Sequence, residues 1–210
     1  MSSKVERDIP ITEAEFVVFD TETTGLGARF GDEIIEIAAV RIKNMKVIDK
    51  YCSFVNPRRS ISPGASAING ITDEMVKGEP YIEEVLPKFL AFSKDSVLVA
   101  HNTSFDMGFI LEKMKQLNYR DFSECVLDTL VLSRKIHKEE KTHSLPAIRR
   151  RLNIGCESEH RAMGDVNATG EILMVFLDII MKEGAITLKD LQKFHGGDPY
   201  KYVKMYNQML

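Results

Sequence analysis

The stretch FDTETTGL, Phe19 to Leu26, follows directly on the apolar run Phe16-Val17-Val18-Phe19. Residues two apart on a strand point to one face, so Asp20 and Glu22 can aim at one point just past the end of a buried strand. A second segment, VLVAHNTSFDMGFI, joins the apolar run Val97 to Ala100 through a short polar link to Asp106, which falls in the first turn of a helical pattern carrying Phe109, Ile110 and Leu117. A third, EHRAMGDVNATGEILMVFLDII, opens a long apolar-faced helix at Asp165, with His160 five residues earlier. Five residues of regular helix rotate about 500°, so the two side chains share a site only if His160 lies in the loop or frayed turn before the helix. Four carboxylates from three segments suit two hard cations such as Mg²⁺ or Mn²⁺, which favour oxygen ligands. Two such ions about 3.5–4 Å apart hold the attacking and leaving oxygens of an in-line phosphoryl displacement. A neutral His beside them can take the proton from the attacking water.

Each motif alone has a plainer reading. Asp20 and Glu22 can be surface carboxylates without a role, and Asp106 can be a dipole partner at a helix start. A calcium-binding loop is excluded. Asp20, Glu22, Thr24 and Gly25 fill its early slots, but the twelfth slot falls on Gly31 and the preceding segment reads as strand.

Apolar runs bounded by turn residues predict strands at about 16–20, 34–42, 47–55, 97–100 and 125–128, with Lys43 to Lys46 as a hairpin turn. Helical spacing predicts helices at about 72–77, 82–92, 105–117, 128–136, 144–151 and 162–182. Antiparallel strands followed by strand–helix alternation imply a mixed sheet covered by helices. A chain of 210 residues, 44% hydrophobic, holds one ordinary domain and a small appendage. The expected organisation is an N-terminal extension over 1–14, one catalytic-sized domain over 15–183 and a C-terminal extension over 184–210, helical and then irregular. Cys52, Cys125 and Cys156 form neither a disulfide framework nor a zinc pattern, which points to a reducing interior. No apolar run approaches the length of a membrane span, so a soluble, cytoplasmic protein is expected. The net charge of −3 disfavours long duplex binding, but Arg134 to Arg151 carries seven Lys or Arg against two Glu. That run is either a solvated linker or a surface that steers phosphates.

The segments DTETTG (Asp20 to Gly25), HNTSFD (His101 to Asp106) and HRAMGD (His160 to Asp165), in that order, resemble the three motifs of the DEDDh group of 3′–5′ exonucleases. The intervening INGITDEMV (Ile68 to Val76) resembles the segment before the second motif in proofreading exonucleases of bacterial DNA polymerase III. The likeness covers roughly 15–182 and points most strongly to the exonuclease domain of PolC-type polymerases. The His-x4-Asp spacing selects the histidine branch, since the tyrosine branch would place its aromatic base where Arg161 stands. The resemblance implies an α/β, ribonuclease H-like fold with a five-stranded mixed sheet flanked by helices. It implies that Asp20, Glu22, Asp106 and Asp165 ligate two divalent cations, Mg²⁺ or Mn²⁺, with Asp20 shared, and that His160 is the general base. Thr23, Gly25 and Leu26 would line the terminal nucleotide and its 3′-hydroxyl, with Asn102 and Phe105 close by and Ile68 wedged against the last base. Plain core packing is the alternative for Phe105 and Ile68. The implied substrate is a single-stranded or frayed DNA 3′ end, cut to nucleoside 5′-monophosphates in replication proofreading, and the implied partners are DNA polymerase III holoenzyme components. Two other readings stay open: an RNA-trimming exoribonuclease of the same group, because spacing does not reveal contacts to a 2′-hydroxyl, and an inactive module that docks on a polymerase.

Overall fold

The computed structural model describes residues 8–120, 122–155 and 161–210. Segments rich in Val, Ile and Phe form the first three strands, β1 (Phe16–Thr23), β2 (Ile34–Lys43) and β3 (Lys46–Phe54). β2 and β3 meet at the expected hairpin, where Asn44 and Met45 take φ of 51° and 57°. Two left-handed residues give a turn whose twist matches that of the paired strands. β1 is central, antiparallel to β2 on one side and parallel to β4 (Val97–Ala100) on the other. β5 (Val126–Asp128) completes a five-stranded mixed sheet of order β3-β2-β1-β4-β5.

Helices cover both faces of the sheet. They are α1 (Pro63–Asn69), α2 (Asp73–Val76), α3 (Ile82–Ser93), α4 (Ser104–Gln116), α5 (Thr129–Ile136), α6 (Leu145–Leu152), α7 (Ala162–Lys182), α8 (Leu188–His195) and α9 (Lys201–Met209). Apolar spacing does not predict α1, whose seven residues, about two turns, are too few to display a period. Its boundaries are nonetheless written in the sequence: the Ser62 side chain accepts from Ala65 N–H, Pro63 opens the helix and Gly70 closes it at φ 70°.

The strand pleat divides the core in two. Phe16 and Val18 of β1 pack with Val40, Ile172 and Phe176 on the α7 side. Val17 and Phe19 pack with Ile37, Phe89, Phe109 and Ile110 on the side of α3 and α4. By the same alternation Asp20 and Glu22 continue the α7 face of β1, and Thr21 continues the α4 face.

The C-terminal stretch differs from its expectation, because the chain is helical again after the glycine break. α8 places Leu188 and Leu191 in the α7-side core, whereas α9 places Tyr202 and Tyr206 in the other. Between them the Pro199 carbonyl accepts Val126 N–H of β5 at 3.0 Å, so this connection covers an edge strand's open backbone. The irregular reading failed because α9 has its apolar positions spaced for a tertiary surface that a short polar segment does not reveal. No described helix is long and apolar enough to cross a membrane.

Tyr206 is fully buried, lies edge-on to Phe122 with ring centroids 6.4 Å apart, and donates its hydroxyl to the Tyr119 carbonyl. Tyr206→Ala is expected to lower stability by about 3 kcal/mol, as large aromatic truncations do. Urea unfolding followed by circular dichroism checks this, and a loss below about 1 kcal/mol would show that α9 lies outside the cooperative core.

Candidate active site

β1 runs to Thr23, whereas β4 stops at Ala100, opposite the middle of β1 in a register that pairs Val18 with Val99. The end of β1 is therefore open on that side. Into the gap comes Asp106, buried in the first turn of α4; its Oδ1 accepts Thr21 N–H at 3.0 Å and the Thr21 hydroxyl at 2.8 Å. A backbone donor that would otherwise seek a neighbouring strand thus fixes a carboxylate. From the other face Asp165, in the first turn of α7, meets Asp20 and Glu22, and one carboxylate oxygen from each of the three lies within 4.8 Å of the others.

Burial pushes the Asp20 carboxyl well above the usual carboxylate range, and its neighbours Asp106, Glu22 and Asp165 push in the same direction. Burial raises Glu22 to about 8, with Asp165 and Glu36 adding to the rise. Burial also lifts Asp106 to about 7, against the Thr21 hydrogen bonds, which lower it. Like charges gathered away from water favour uptake of a proton or a cation, and an all-oxygen donor set fits a hard divalent ion.

Three supports hold this cluster. Glu36, 1% exposed, pairs across the sheet with Glu22 and accepts Arg161 Nη2 at 3.0 Å, Arg161 Nε at 3.3 Å and Ala162 N–H at 3.2 Å. It thereby caps the start of α7 and anchors the residue that follows His160. Asn69, at the end of α1, donates to the Thr23 carbonyl at 3.4 Å and accepts Ile71 N–H at 3.0 Å, tying the INGIT loop to β1. Asp128 accepts Asn102 N–H at 3.0 Å and Thr103 N–H at 3.1 Å, holding Asn102 at φ 65°.

The cleft at this strand end has a volume of about 450 Å³. Its walls include Asp20, Glu22, Asp106 and Asp165 together with Thr23, Gly25, Leu26, Ile68, Asn102 and Phe105. Every site residue that the resemblance implies lines this cleft except His160, which lies outside the described residues. Ile68 is 65% exposed and so is no core residue. Phe105 is half-buried, its ring 5.2 Å from that of Phe109, and serves as both wall and packing. Sequence reasoning passed over Thr21, Glu36 and Asn69; of these Glu36 carried a signal, as a lone charge inside the apolar run IIEIAAV. The basic run is only partly a surface. Arg149 is buried and Arg151 pairs with Glu140 at 3.0 Å, leaving Arg150 exposed among the three adjacent arginines of α6.

A family model described as exonuclease, RNase_T, matches residues 17–173. The chain belongs to this exonuclease family. It is 45% identical over 179 residues to the DNA polymerase III PolC-type of Caldanaerobacter subterraneus subsp. tengcongensis, which covers 85% of this chain and 13% of that protein. It is 37% identical over 200 residues to the DNA polymerase III PolC-type of Thermotoga maritima, covering 95% of this chain and 14% of the relative. The chain thus spans about a seventh or less of the curated relatives it matches. Among solved structures it resembles exonuclease X in complex with 5′ overhanging duplex DNA, with a TM-score of 0.67, 27% identity and coverage of 86% of this chain and 99% of that one. It also resembles a complex of E. coli exonuclease I with single-stranded DNA, with a TM-score of 0.71 and 18% identity over 81% of this chain and 43% of the other. The mixed sheet and its helices are the ribonuclease H-like fold these exonucleases share.

Because the folded state raises these carboxyl pKa values, the metal-free fold holds protons more tightly than the unfolded chain. Its contribution from Glu22 is present below the ordinary value of 4.5 and is lost as pH rises to about 8. A divalent cation held there would relieve the same repulsion, so added Mn²⁺ is expected to raise Tm more at about pH 8 than at about pH 5. Glu22→Gln should flatten that difference. Thermal melts with and without Mn²⁺ decide, and equal shifts at both pH values would show that any stabilisation by the ion is not coupled to these carboxyls.

Proposed function

We propose that this chain is a metal-dependent 3′–5′ exonuclease that acts on single-stranded or frayed DNA 3′ ends, releases nucleoside 5′-monophosphates and serves replication proofreading in the cytoplasm. The observation that carries this reading is the convergence of Asp20, Glu22, Asp106 and Asp165, from three ordered motifs, at the open end of β1 in a member of an exonuclease family. The PolC-type relatives supply the DNA and polymerase context, with other components of a DNA polymerase III holoenzyme as partners.

Two divalent cations, Mg²⁺ or Mn²⁺, held by the four carboxylates with Asp20 shared, would supply the positive charge needed at the attacking and departing oxygens of the last phosphodiester. His160 takes the proton from the attacking water, and the Glu36–Arg161 pair holds the chain next to it. Leu26, 86% exposed, and Ile68 grip the terminal base, as apolar side chains can for any base. Thr23 and Gly25 face the terminal sugar and its 3′-hydroxyl, with Asn102 and Phe105 beside them. A Cβ at Gly25 would lie 2.4 Å from the Asp32 carboxylate, so glycine here lets Asp32 pack against the backbone of this wall. A paired end must fray to enter so narrow a site, and a mismatched end frays more cheaply, which gives selectivity without sequence readout.

The test is degradation of a 5′-labelled single-stranded DNA and its RNA equivalent with Mg²⁺ or Mn²⁺. A 3′-end ladder on DNA is expected, reduced more than about 10²-fold by Asp20→Ala and by His160→Ala. Glu36→Gln, which leaves the ligands intact, should cost about 10–100-fold, as loss of a supporting partner does. Preference for RNA would replace the substrate while keeping the chemistry, and activity that survives Asp20→Ala would remove the site.

A further inference from the structure

Beyond Leu26, Asn102 and Phe105 the cleft opens into a second groove of about 430 Å³, within the range of small-ligand sites. The first three residues wall both cavities, so the two are continuous, and Leu26 stands as an exposed ridge between them. One side of the second groove is the single 3-10 turn Ala28–Phe30, and the other is α9, through Met205 and Met209. Those methionines lie beyond the residues that the family model matches, so this wall is no part of the family's shared pattern.

Phe30 is 94% exposed, more than any other large apolar side chain among the described residues. Its turn is closed tightly: Thr24 N–H donates to the Glu33 carbonyl at 2.8 Å, Gly27 N–H to Asp32 Oδ2 at 2.9 Å, and Phe30 N–H to the Gly27 carbonyl at 2.9 Å. The ring rests against the bare backbone of Gly27, where a Cβ would come within 2.8 Å of it. An aromatic ring held in the open beside a nucleotide-sized cleft has the geometry of a stacking platform for an unpaired base. Arg29, exposed on the same turn, offers a positive charge to an adjoining phosphate. Continuity with the carboxylate cleft, together with this charge, favours a nucleic-acid strand over an apolar peptide as the occupant.

We propose that this groove is an upstream subsite of the exonuclease. With the 3′-terminal nucleotide in the carboxylate cleft, an unpaired base on its 5′ side stacks on Phe30, between the turn and α9. The assignment rests on the exonuclease reading and deepens it, since it makes the enzyme a reader of several unpaired nucleotides and not of the last one alone.

The experiment compares wild type, Phe30→Ala and Phe30→Trp on a hexadeoxynucleotide and on the p-nitrophenyl ester of thymidine 5′-monophosphate, which has no upstream base. Phe30→Ala is expected to lower kcat/KM on the hexamer roughly 5- to 100-fold, the range that base stacking spans. The loss on the ester should be at least about fivefold smaller than on the hexamer, and Phe30→Trp should restore the hexamer rate. Equal losses on both substrates would mean a distorted turn; these, an unchanged hexamer rate or no rescue by Trp would overturn the subsite. Anisotropy of a 5′-fluorescein hexamer in Ca²⁺ separates the two readings. If wild type cleaves nothing yet Phe30→Ala weakens this binding, the catalytic reading falls and the subsite stands; equal binding by the two proteins removes the subsite.

Discussion

Gathering several carboxylates at the end of one strand sets them against each other, and the surrounding structure is organised to resist that repulsion. Carboxylates brought together away from water would separate or protonate if their segments were free to move. Here they are not free. Asp20 and Glu22 stand on the central strand of the sheet, Asp106 is held by two donors of Thr21, and Asp165 begins the longest helix, α7. Glu36, set among the same charges, is treated differently. Arg161 bonds it at 3.0 and 3.3 Å and makes it a structural anion that joins the sheet to α7. The arrangement separates a carboxylate that builds the site from carboxylates able to hold a cation.

The sheet order serves the same end. A parallel neighbour that stops early leaves the tip of β1 exposed on one side, while antiparallel β2 continues to support it on the other. Ligands in open α/β sheets gather at such strand ends because helices diverge there and backbone groups become available. The helices that approach this tip come from opposite faces, α4 with Asp106 and α7 with Asp165. One strand tip thereby collects charge from both layers of the molecule. The C-terminal helices extend that plan: α8 closes one layer, α9 closes the other, and α9 also forms a wall of the groove beyond Leu26.

Much of this was legible in the residues. The alternation of Phe16, Val18, Asp20 and Glu22 is written in the chain, and so are the periodic faces of α3, α4 and α7. α7 spans Ala162–Lys182, the range that the helical spacing predicted. Less legible was anything that depends on a distant partner. Glu36 looked like part of a strand until Arg161, 125 residues away, met it. Asn69 ends α1, a helix whose local cues were a serine cap, a proline and a glycine. Arg149 belonged to a run read as either a solvated linker or a phosphate-steering surface, but helical geometry turned it inward and left Arg150 outside.

The sequence by itself determined which residues can do chemistry here, because strand parity and helix starts are local properties carried by neighbouring residues. It determined the kind of sheet, since hairpin signals and strand–helix alternation constrain connections. Tertiary structure alone decided that the four carboxylates line one cleft and that Thr21 holds Asp106 in place. It also decided that a polar tail folds back as α9 to shape a second groove. These are contacts between residues far apart in the chain, 85 for Thr21 and Asp106 and 125 for Glu36 and Arg161, set by how rigid elements pack. No local pattern carries that information, because packing is a property of surfaces that exist only once the elements have formed.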